Sequence, residues 1–541
     1  MSNNMTERLA ALLAARKKAL ASAVEVEGEA ATGMHGEAIT YNKEQQQFVN
    51  LLASGQSCVL IGAAGTGKTT CTQGAITKLL HTGKVPVLEA GDHKHLVTGT
   101  PGIVIISYTR RAVNNIRKVL PADLKSNAVT AHKLLEYAPV YYEVFNEDTG
   151  TYKTIMKFEA TRNALNPLPS TIHTIIVEES SMLGTELFKE LQTALSHKVQ
   201  WVFIGDIQQL PPVFGPAILG FALLKLPVVQ LTQVYRQALE SPIIRLAHQI
   251  LAGNTIAAVQ YPEWKHENQL TLHPWKKKVS AENATSVAAA FFKQAIDNGS
   301  YDTEEDMILL PFNKAFGTIE LNKHIANHLA RKRGAITYEV IAGFLKHYFS
   351  VGDKILYEKE DAEIISISKN MGYSGAMPQK ASANLDYWGY NSDTPTPLDG
   401  IDDIDFFLAQ IAAKETTEDR VNSCSHVITI KLSDSEKELS LSTAGEVNAL
   451  LHAYALTVHK AQGSEWRKVF VVFHNSHATM ISRELLYTAV TRAREELYVI
   501  CEPETFTKGI LSQRIKGDTL AEKAEHFKGK IDNSTAHYYS F

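Results

Sequence analysis

The sequence predicts an α/β protein whose parallel sheets carry a phosphate-binding loop. Short apolar runs alternate with helical patterns over most of the chain, which is the rhythm of a doubly wound sheet. One such run, "SCVLI", leads straight into "GAAGTGKTT", Gly62 to Thr70, a fit to G-x-x-x-x-G-K-[ST]. Another, "IIVEESSM", Ile175 to Met182, ends in two adjacent carboxylates. That is the carboxyl end of a strand, where open α/β sheets bind ligands.

The bulk composition narrows the class. A chain of 541 residues, 45% of them apolar, has ample length for large cores and for several domains. Its net charge of −4 excludes a global positive field, so nucleic-acid binding requires a local basic groove. Cys58, Cys71, Cys424 and Cys501 lie far apart and form no C-x-x-C pair. This argues against a zinc site or a disulfide framework and suits a reducing cytoplasm. The apolar stretch in "LAALLAARKK" is short, follows Glu7 and Arg8, and precedes nothing like a cleavage site. No apolar run approaches the roughly 18 residues of a membrane helix. A soluble cytoplasmic protein is expected, with no membrane partner.

In chain order, residues 5–22 read as an Ala-rich helix and "VEGEAATGMHGEA" as a flexible linker, together an N-terminal segment over 1–40. The first α/β block runs over 41–235, with strands "SCVLI", "GIVIISYT", "TIIVEE" and "VQWVFIGD". "YYEVFNEDTGTYKTIMKF" interrupts it: two aromatic and β-branched runs around a turn, hence an inserted β-hairpin at about 139–165. A second block spans 236–500, with strands "MILLPF", "VFVVFH" and "ELYVIC". "SVGDKILYEKE" and "HVITIKLSDSEKELSLS" mark a β-rich insertion at about 340–450, and Met371 to Asp405 reads as a long loop. The tail, 501–541, is expected to hold two helices, the second capped by Asp518.

The chemistry follows from the loop. Its glycines let backbone N–H groups wrap phosphates, and the helix that follows adds positive potential at its N-terminus. Lys68 then reaches the β/γ-phosphates and Thr69 holds Mg²⁺. Such a site needs an acid for the metal and another polar group for water. Glu178 and Glu179 stand at one strand end, with Asp206 and Gln209 of "WVFIGDIQQLPPV" at the next. The stretch 104–125 carries Arg110, Arg111, Arg117, Lys118 and Lys125 against one acid, Asp123. It suits a nucleic-acid backbone or an ordinary solvated helix face. The hairpin aromatics Tyr141, Tyr142, Phe145 and Phe158 fit base stacking and internal packing equally. His93 and His95 lie in a polar loop without further ligands, so no metal site is expected there.

The order "GAAGTGKTT", "VIISYTRRAV", "VTAHKLL", "IIVEESSM", "FIGDIQQLPPV", "LTQVYR", "LTVHKAQGSEW", "LLYTAVTRAR" resembles the motif series of superfamily 1 helicases, within them the RecD-like and Dda-like group. The resemblance covers roughly 41–500. It implies two RecA-like P-loop domains, the hairpin as a strand-separating pin, and the insertion as a small barrel. It implies ATP and Mg²⁺ as cofactors, single-stranded and forked duplex DNA as partners alongside replication or recombination proteins, and 5′→3′ translocation. A phage origin would place the protein in the host cytoplasm. In the loop, Gly62, Ala63, Ala64, Gly65, Thr66, Gly67, Lys68, Thr69 and Thr70 correspond to the nucleotide cradle. Gln45 in "YNKEQQQF" looks like the adenine reader, Tyr235 a base-stacking ring, and Glu465 a contact to the nucleotide sugar. Arg236 and Arg492 look like arginine fingers. Thr109, Arg110, Thr130, His132, Asn313, Thr457 and His459 match motifs lining the single-strand track, with Phe145 on the pin. Glu178 stands where the family usually has Asp. Two other readings compete: an ATP-regulated single-strand-binding or loading factor without unwinding, and an NTPase acting on proteins or small molecules.

Overall fold

The computed structural model describes residues 30–32 and 38–528, apart from 90–92, 94, 147–150, 213–214, 235–239, 256–264, 268, 275–278, 314–315, 344, 358–359, 374–422 and 434–435. The expected N-terminal helix, Tyr235, Arg236 and most of the Met371–Asp405 loop lie outside the described residues.

The first sheet has six strands, all parallel. In spatial order they are Val228–Leu231, the P-loop strand Cys58–Gly62, Gln200–Gly205, Thr174–Val177, Ile103–Ser107 and Ala128–Thr130. Four of these strands are buried at every position, because helices cover both faces and leave no polar side to alternate. One core packs Phe188, Trp201 and Phe203 on one face; a second packs Phe48, Cys71 and Ile76 on the other. The second sheet places Leu270–Pro274, Ala493–Cys501, Trp466–Val472, Met307–Leu310 and Ala455–Thr457 in parallel, with Lys265–Glu267 as an antiparallel edge. Two RecA-like sheets are therefore present. We call them, with their helices, the first and second lobes.

The hairpin is formed by Tyr137–Asn146 and Thr151–Ala160, paired without a bulge from Tyr137↔Ala160 to Asn146↔Thr151. The side chains of Tyr141, Phe145 and Phe158 lie outside what is described. The insertion is an antiparallel, curled sheet of seven strands, opening at Thr337 and closing at His452. It encloses its own core, including Val340, Phe349, Ile364, Ile428 and Ile430.

The tail crosses between the lobes. Helix Pro503–Leu511 seats Phe506 and Ile510 in the second lobe's core. The chain then passes over, so that Ile515 and Phe527 belong to the core of the first. Arg483 fastens the crossing by donating to Ile510 O at 2.8 Å and to Asp518 Oδ1 at 2.6 Å. The Glu484 carboxylate accepts from Arg514 N and Ile515 N, each at 3.1 Å. Helix Leu520–Lys528 docks so closely that a Cβ on Gly220 would stand 2.2 Å from the Phe527 ring. Asp518, expected as this helix's cap, binds Arg483 instead. Thr519 takes the role, its Oγ1 accepting from Glu522 N at 3.2 Å.

Candidate nucleotide site and interlobe clasp

Gly65 and Gly67 have φ of 79° and 83°, a left-handed conformation that glycine adopts without a Cβ penalty. Gly67 precedes the P-loop helix Lys68–His81 and offers no side-chain cap, so the first-turn N–H groups point into the loop. Thr66 Oγ1 donates to Ala63 O at 2.8 Å. Lys68 Nζ donates to Gly62 O at 2.7 Å and to Ala63 O at 3.2 Å, folded onto carbonyls of its own loop. Thr69 and Thr70 occupy the first turn of the helix.

Glu178 follows its strand immediately, and its Oε1 accepts from Thr72 Oγ1 at 2.7 Å. Thr72 lies one helical turn beyond Lys68. The sequence reading missed it, although the i+4 spacing from Lys68 puts both on one helix face. Burial pushes the Glu178 carboxyl up to about 7; Thr72 and Lys68 oppose the rise and Glu179 adds to it. Glu179 has φ 51° and ψ 43°, sparsely populated for a residue with a Cβ. Its Oε2 is buried without a hydrogen-bond partner, as is Gln209 Oε1. Buried polar atoms are rarely left unpaired without a functional reason. Thr69, Glu178 and the orphaned Glu179 oxygen make a hard-oxygen donor set that fits Mg²⁺, a cation that normally takes few protein ligands and completes its shell with phosphate and water. No cluster of three His, Cys, Asp or Glu side chains suited to a metal occurs among the described residues, His93 and His95 included.

Gln45 is fully buried, and its Oε1 accepts from Asn42 N at 3.0 Å in a capping box with Asn42. The amide oxygen is thus engaged, while Nε2 has no partner. Tyr41 sets the position of this segment, since a Cβ on Gly74 would overlap its hydroxyl.

Several residues expected along the single-strand track are committed to local structure. Thr109 Oγ1 accepts from Ala112 N at 3.2 Å, and Thr130 Oγ1 from Lys133 N at 3.1 Å, both as helix caps. Thr457, fully buried, accepts from Lys460 N at 3.2 Å, and Asn313 Oδ1 accepts from Thr318 Oγ1 at 2.9 Å. The His132 ring packs edge-on against Tyr108 and Tyr137. His459 is buried and Glu465 is exposed. Three arginines of the basic stretch also have partners within the protein. Arg110 pairs with Glu360 at 2.7 Å, Arg111 pairs with Asp361 and lies over the Trp466 ring, and Arg117 donates to Ala128 O at 2.7 Å. In this arrangement Arg110 and Arg111 bind the insertion, and Arg117 its own lobe.

The second lobe meets the P-loop through a clasp that sequence reading did not isolate. Tyr487, on the helix Arg483–Val490, accepts from Ala64 N at 2.7 Å and donates to Asp206 Oδ2 at 2.6 Å. Thr488 Oγ1 accepts from Leu210 N at 3.0 Å, and Gln462 Nε2 donates to Leu210 O at 2.8 Å. Asn115 Nδ2 donates to Gly463 O at 2.9 Å. Tyr487, Thr488 and Gln462 all stand inside quoted motifs, so the signal was present but carried no assigned role. Arg492 is turned into its own lobe, donating to Thr488 O, Ser464 O and Thr491 Oγ1 at 3.0, 3.2 and 3.1 Å.

The AAA domain family model matches residues 45–215, and that of the UvrD-like helicase C-terminal domain matches 452–500. Over 462 residues the chain is 26% identical to the ATP-dependent RecD2 DNA helicase of Deinococcus radiodurans. The chain is thus similar to RecD-like helicases. The match covers 84% of this RecD-like chain and 48% of that relative, so the chain spans about half of the relative's length. It is also 23% identical over 495 residues to the RecBCD enzyme subunit RecD of Mycobacterium tuberculosis, across 88% of this chain and 72% of that one. Among solved structures, Bacteroides Pif1 bound to single-stranded DNA aligns at 15% identity with a TM-score of 0.44, covering 91% of this chain and 98% of that one. No helix among the described residues is long and apolar enough to cross a membrane.

Proposed function

We propose that this RecD-like chain is an ATP-dependent DNA helicase that translocates 5′→3′ on single-stranded DNA and unwinds forked duplex. The clasp carries this reading, because Tyr487, Thr488 and Gln462 bring the second lobe's motifs to the mouth of the P-loop. A motor needs such a cleft between two lobes, where nucleotide state changes how the lobes sit. In this reading 41–235 and 236–500 are the motor domains, the hairpin splits the duplex, and the protein works in the cytoplasm with replication or recombination proteins.

The roles follow from the chemistry. Lys68 leaves the Gly62 and Ala63 carbonyls for the β/γ-phosphates, whose charge is the stronger acceptor. Thr69 and Glu178 hold Mg²⁺, which when bound neutralises phosphate charge. Glu179 orients the attacking water, and Gln209, whose Oε1 is likewise unpaired, reports on the γ-phosphate. Arg492 releases its contacts within the second lobe to stabilise transition-state charge, with Arg236 as its counterpart. The Gln45 Nε2 contacts adenine, with Tyr235 stacked on the base and Glu465 at the sugar. Thr109, Arg110, Thr130, His132, Asn313, Thr457 and His459 border the strand, so several must exchange their present partners when DNA enters.

The test is ATP hydrolysis with and without a single-stranded oligonucleotide, followed by displacement of duplexes tailed at either end. DNA-stimulated hydrolysis and displacement from a 5′ tail are expected, and Lys68→Ala should abolish both while leaving the fold intact. Stimulated hydrolysis without displacement from either tail would make the chain a loading factor. Hydrolysis indifferent to DNA would remove the motor reading altogether.

A further inference from the structure

One peptide unit of the P-loop is gripped at both ends. Lys68 Nζ holds Ala63 O on one side, and the Tyr487 hydroxyl takes the Ala64 N–H on the other. Tyr487 is fully buried, and burial followed by the nearby Asp206 keeps its phenol protonated far above neutral pH. Its proton is committed to Asp206 Oδ2, which leaves an oxygen lone pair as the acceptor for Ala64. Ala64 also packs against the second lobe's core, and His248 of helix Pro242–Leu251 faces the same corner. Arg492 lies just past the end of the helix that carries Tyr487 and is bonded to that helix at Thr488.

We propose that Tyr487 is a positioning residue that discriminates ATP from ADP, its hydroxyl competing with the γ-phosphate for the Ala64 N–H. Backbone N–H groups in such loops are phosphate donors, and Lys68 belongs at the β/γ end. When a γ-phosphate draws Lys68 away from Ala63 O, the opposite side of the same peptide is contested. A charged phosphate oxygen is a stronger acceptor than a neutral phenol, so Tyr487 gives up Ala64 and keeps Asp206. The clasp then loosens at one point, and the helix leading to Arg492 is freed to shift. ADP has no γ-phosphate and leaves the bond in place. This inference rests on the nucleotide-driven reading above and deepens it.

The experiment measures affinity for a non-hydrolysable ATP analogue and for ADP, without DNA, in the unmodified protein, Tyr487→Phe and Thr488→Val. Tyr487→Phe keeps the ring and removes the competitor. It should tighten the ATP analogue by roughly 2- to 12-fold, the worth of one neutral hydrogen bond, and leave ADP unchanged. Thr488→Val breaks the neighbouring clasp bond to Leu210 and should move both nucleotides alike. Equal shifts for both nucleotides in Tyr487→Phe, weaker ATP binding, or an ATP-selective shift in Thr488→Val would each overturn the proposal. Should Tyr487→Phe fail to fold, hydrogen exchange over residues 483–492 of the unmodified protein decides: the ATP analogue should alter it and ADP should not, and identical exchange overturns the proposal. If the unmodified chain binds neither nucleotide, the motor reading fails and this inference with it. If it binds both but Tyr487→Phe leaves their ratio unchanged, this inference alone fails.

Discussion

The two lobes share a sheet architecture but differ in what stands at their strand ends. In the first, the Glu179 carboxylate and the Gln209 amide each bury an oxygen with no partner, and Glu178 sits at about 7 because burial disfavours its charge. In the second, Arg492 is buried with three hydrogen bonds inside its own lobe, and Thr457 is spent on a turn. The first lobe holds unmet polar demand at the place where a ligand would enter. The second holds its charge in reserve. A buried oxygen without a partner is where a ligand can supply one, whereas Arg492 would have to exchange its present partners to meet a ligand.

Substitutions test that contrast, and the largest effect is expected from charges acting on the transition state. Arg492→Ala should lower ATP turnover by about 10³ or more, since arginine fingers are worth roughly 10³–10⁵ in the best-studied cases, while nucleotide affinity is largely kept. Glu179→Gln should likewise bind nucleotide and turn over very slowly. Single-turnover hydrolysis beside equilibrium binding separates the two effects, and parallel losses of affinity and rate in Arg492→Ala would make it an ordinary ligand.

The next effect is structural and spans both lobes. Phe527→Ala empties the space beside Gly220 and should destabilise the protein by about 3–5 kcal/mol, as large-to-small core changes do. Denaturant unfolding should show the loss in the first lobe's transition, and an unchanged midpoint would mean that the crossing segment does not support that lobe.

Acid should then expose one buried histidine in each lobe. Burial is the first cause lowering both His93 and His477 from 6.5 to about 4. Below pH about 6.5 the unfolded chain binds protons that the folded chain refuses, so stability present above that value falls as pH drops towards about 4 and levels off below. For His477, which is almost wholly buried, the loss is up to about 3 kcal/mol. His477→Gln retains a donor for Phe316 O, and a stability–pH profile should show a shallower acid limb. A limb unchanged in slope would assign the sensitivity elsewhere. The smallest effect is reserved for Glu178→Asp, which preserves the charge and should keep turnover within about tenfold of the unmodified protein, less than 1.4 kcal/mol; a larger drop would show that the longer arm, held by Thr72, is needed.

The motif series located the P-loop, both carboxylates and the two sheets because those features are local: a strand, a turn and the residue at its end. The single-strand residues were less legible. Thr109 and Thr130 carry the residue type expected of a phosphate contact, but the same hydroxyl is the preferred helix cap, and sequence alone does not separate the two uses. The partners of Arg110 and Arg111, Glu360 and Asp361, arrive from an insertion roughly 250 positions away, a distance over which periodicity carries no information. Tyr487 was quoted within a motif yet unassigned, because its meaning depends on meeting Ala64 across the interlobe boundary.

The crossing segment also bears on how the protein is made. The strands of the first sheet are complete once Leu231 has been synthesised, but Phe527, which packs beside Gly220 and Phe221, comes far later in the chain. A nascent first lobe therefore leaves the ribosome with an apolar face still open, the kind of surface that chaperones bind and that drives aggregation. The first core therefore gains Ile515 and Phe527 only after the second lobe has been synthesised.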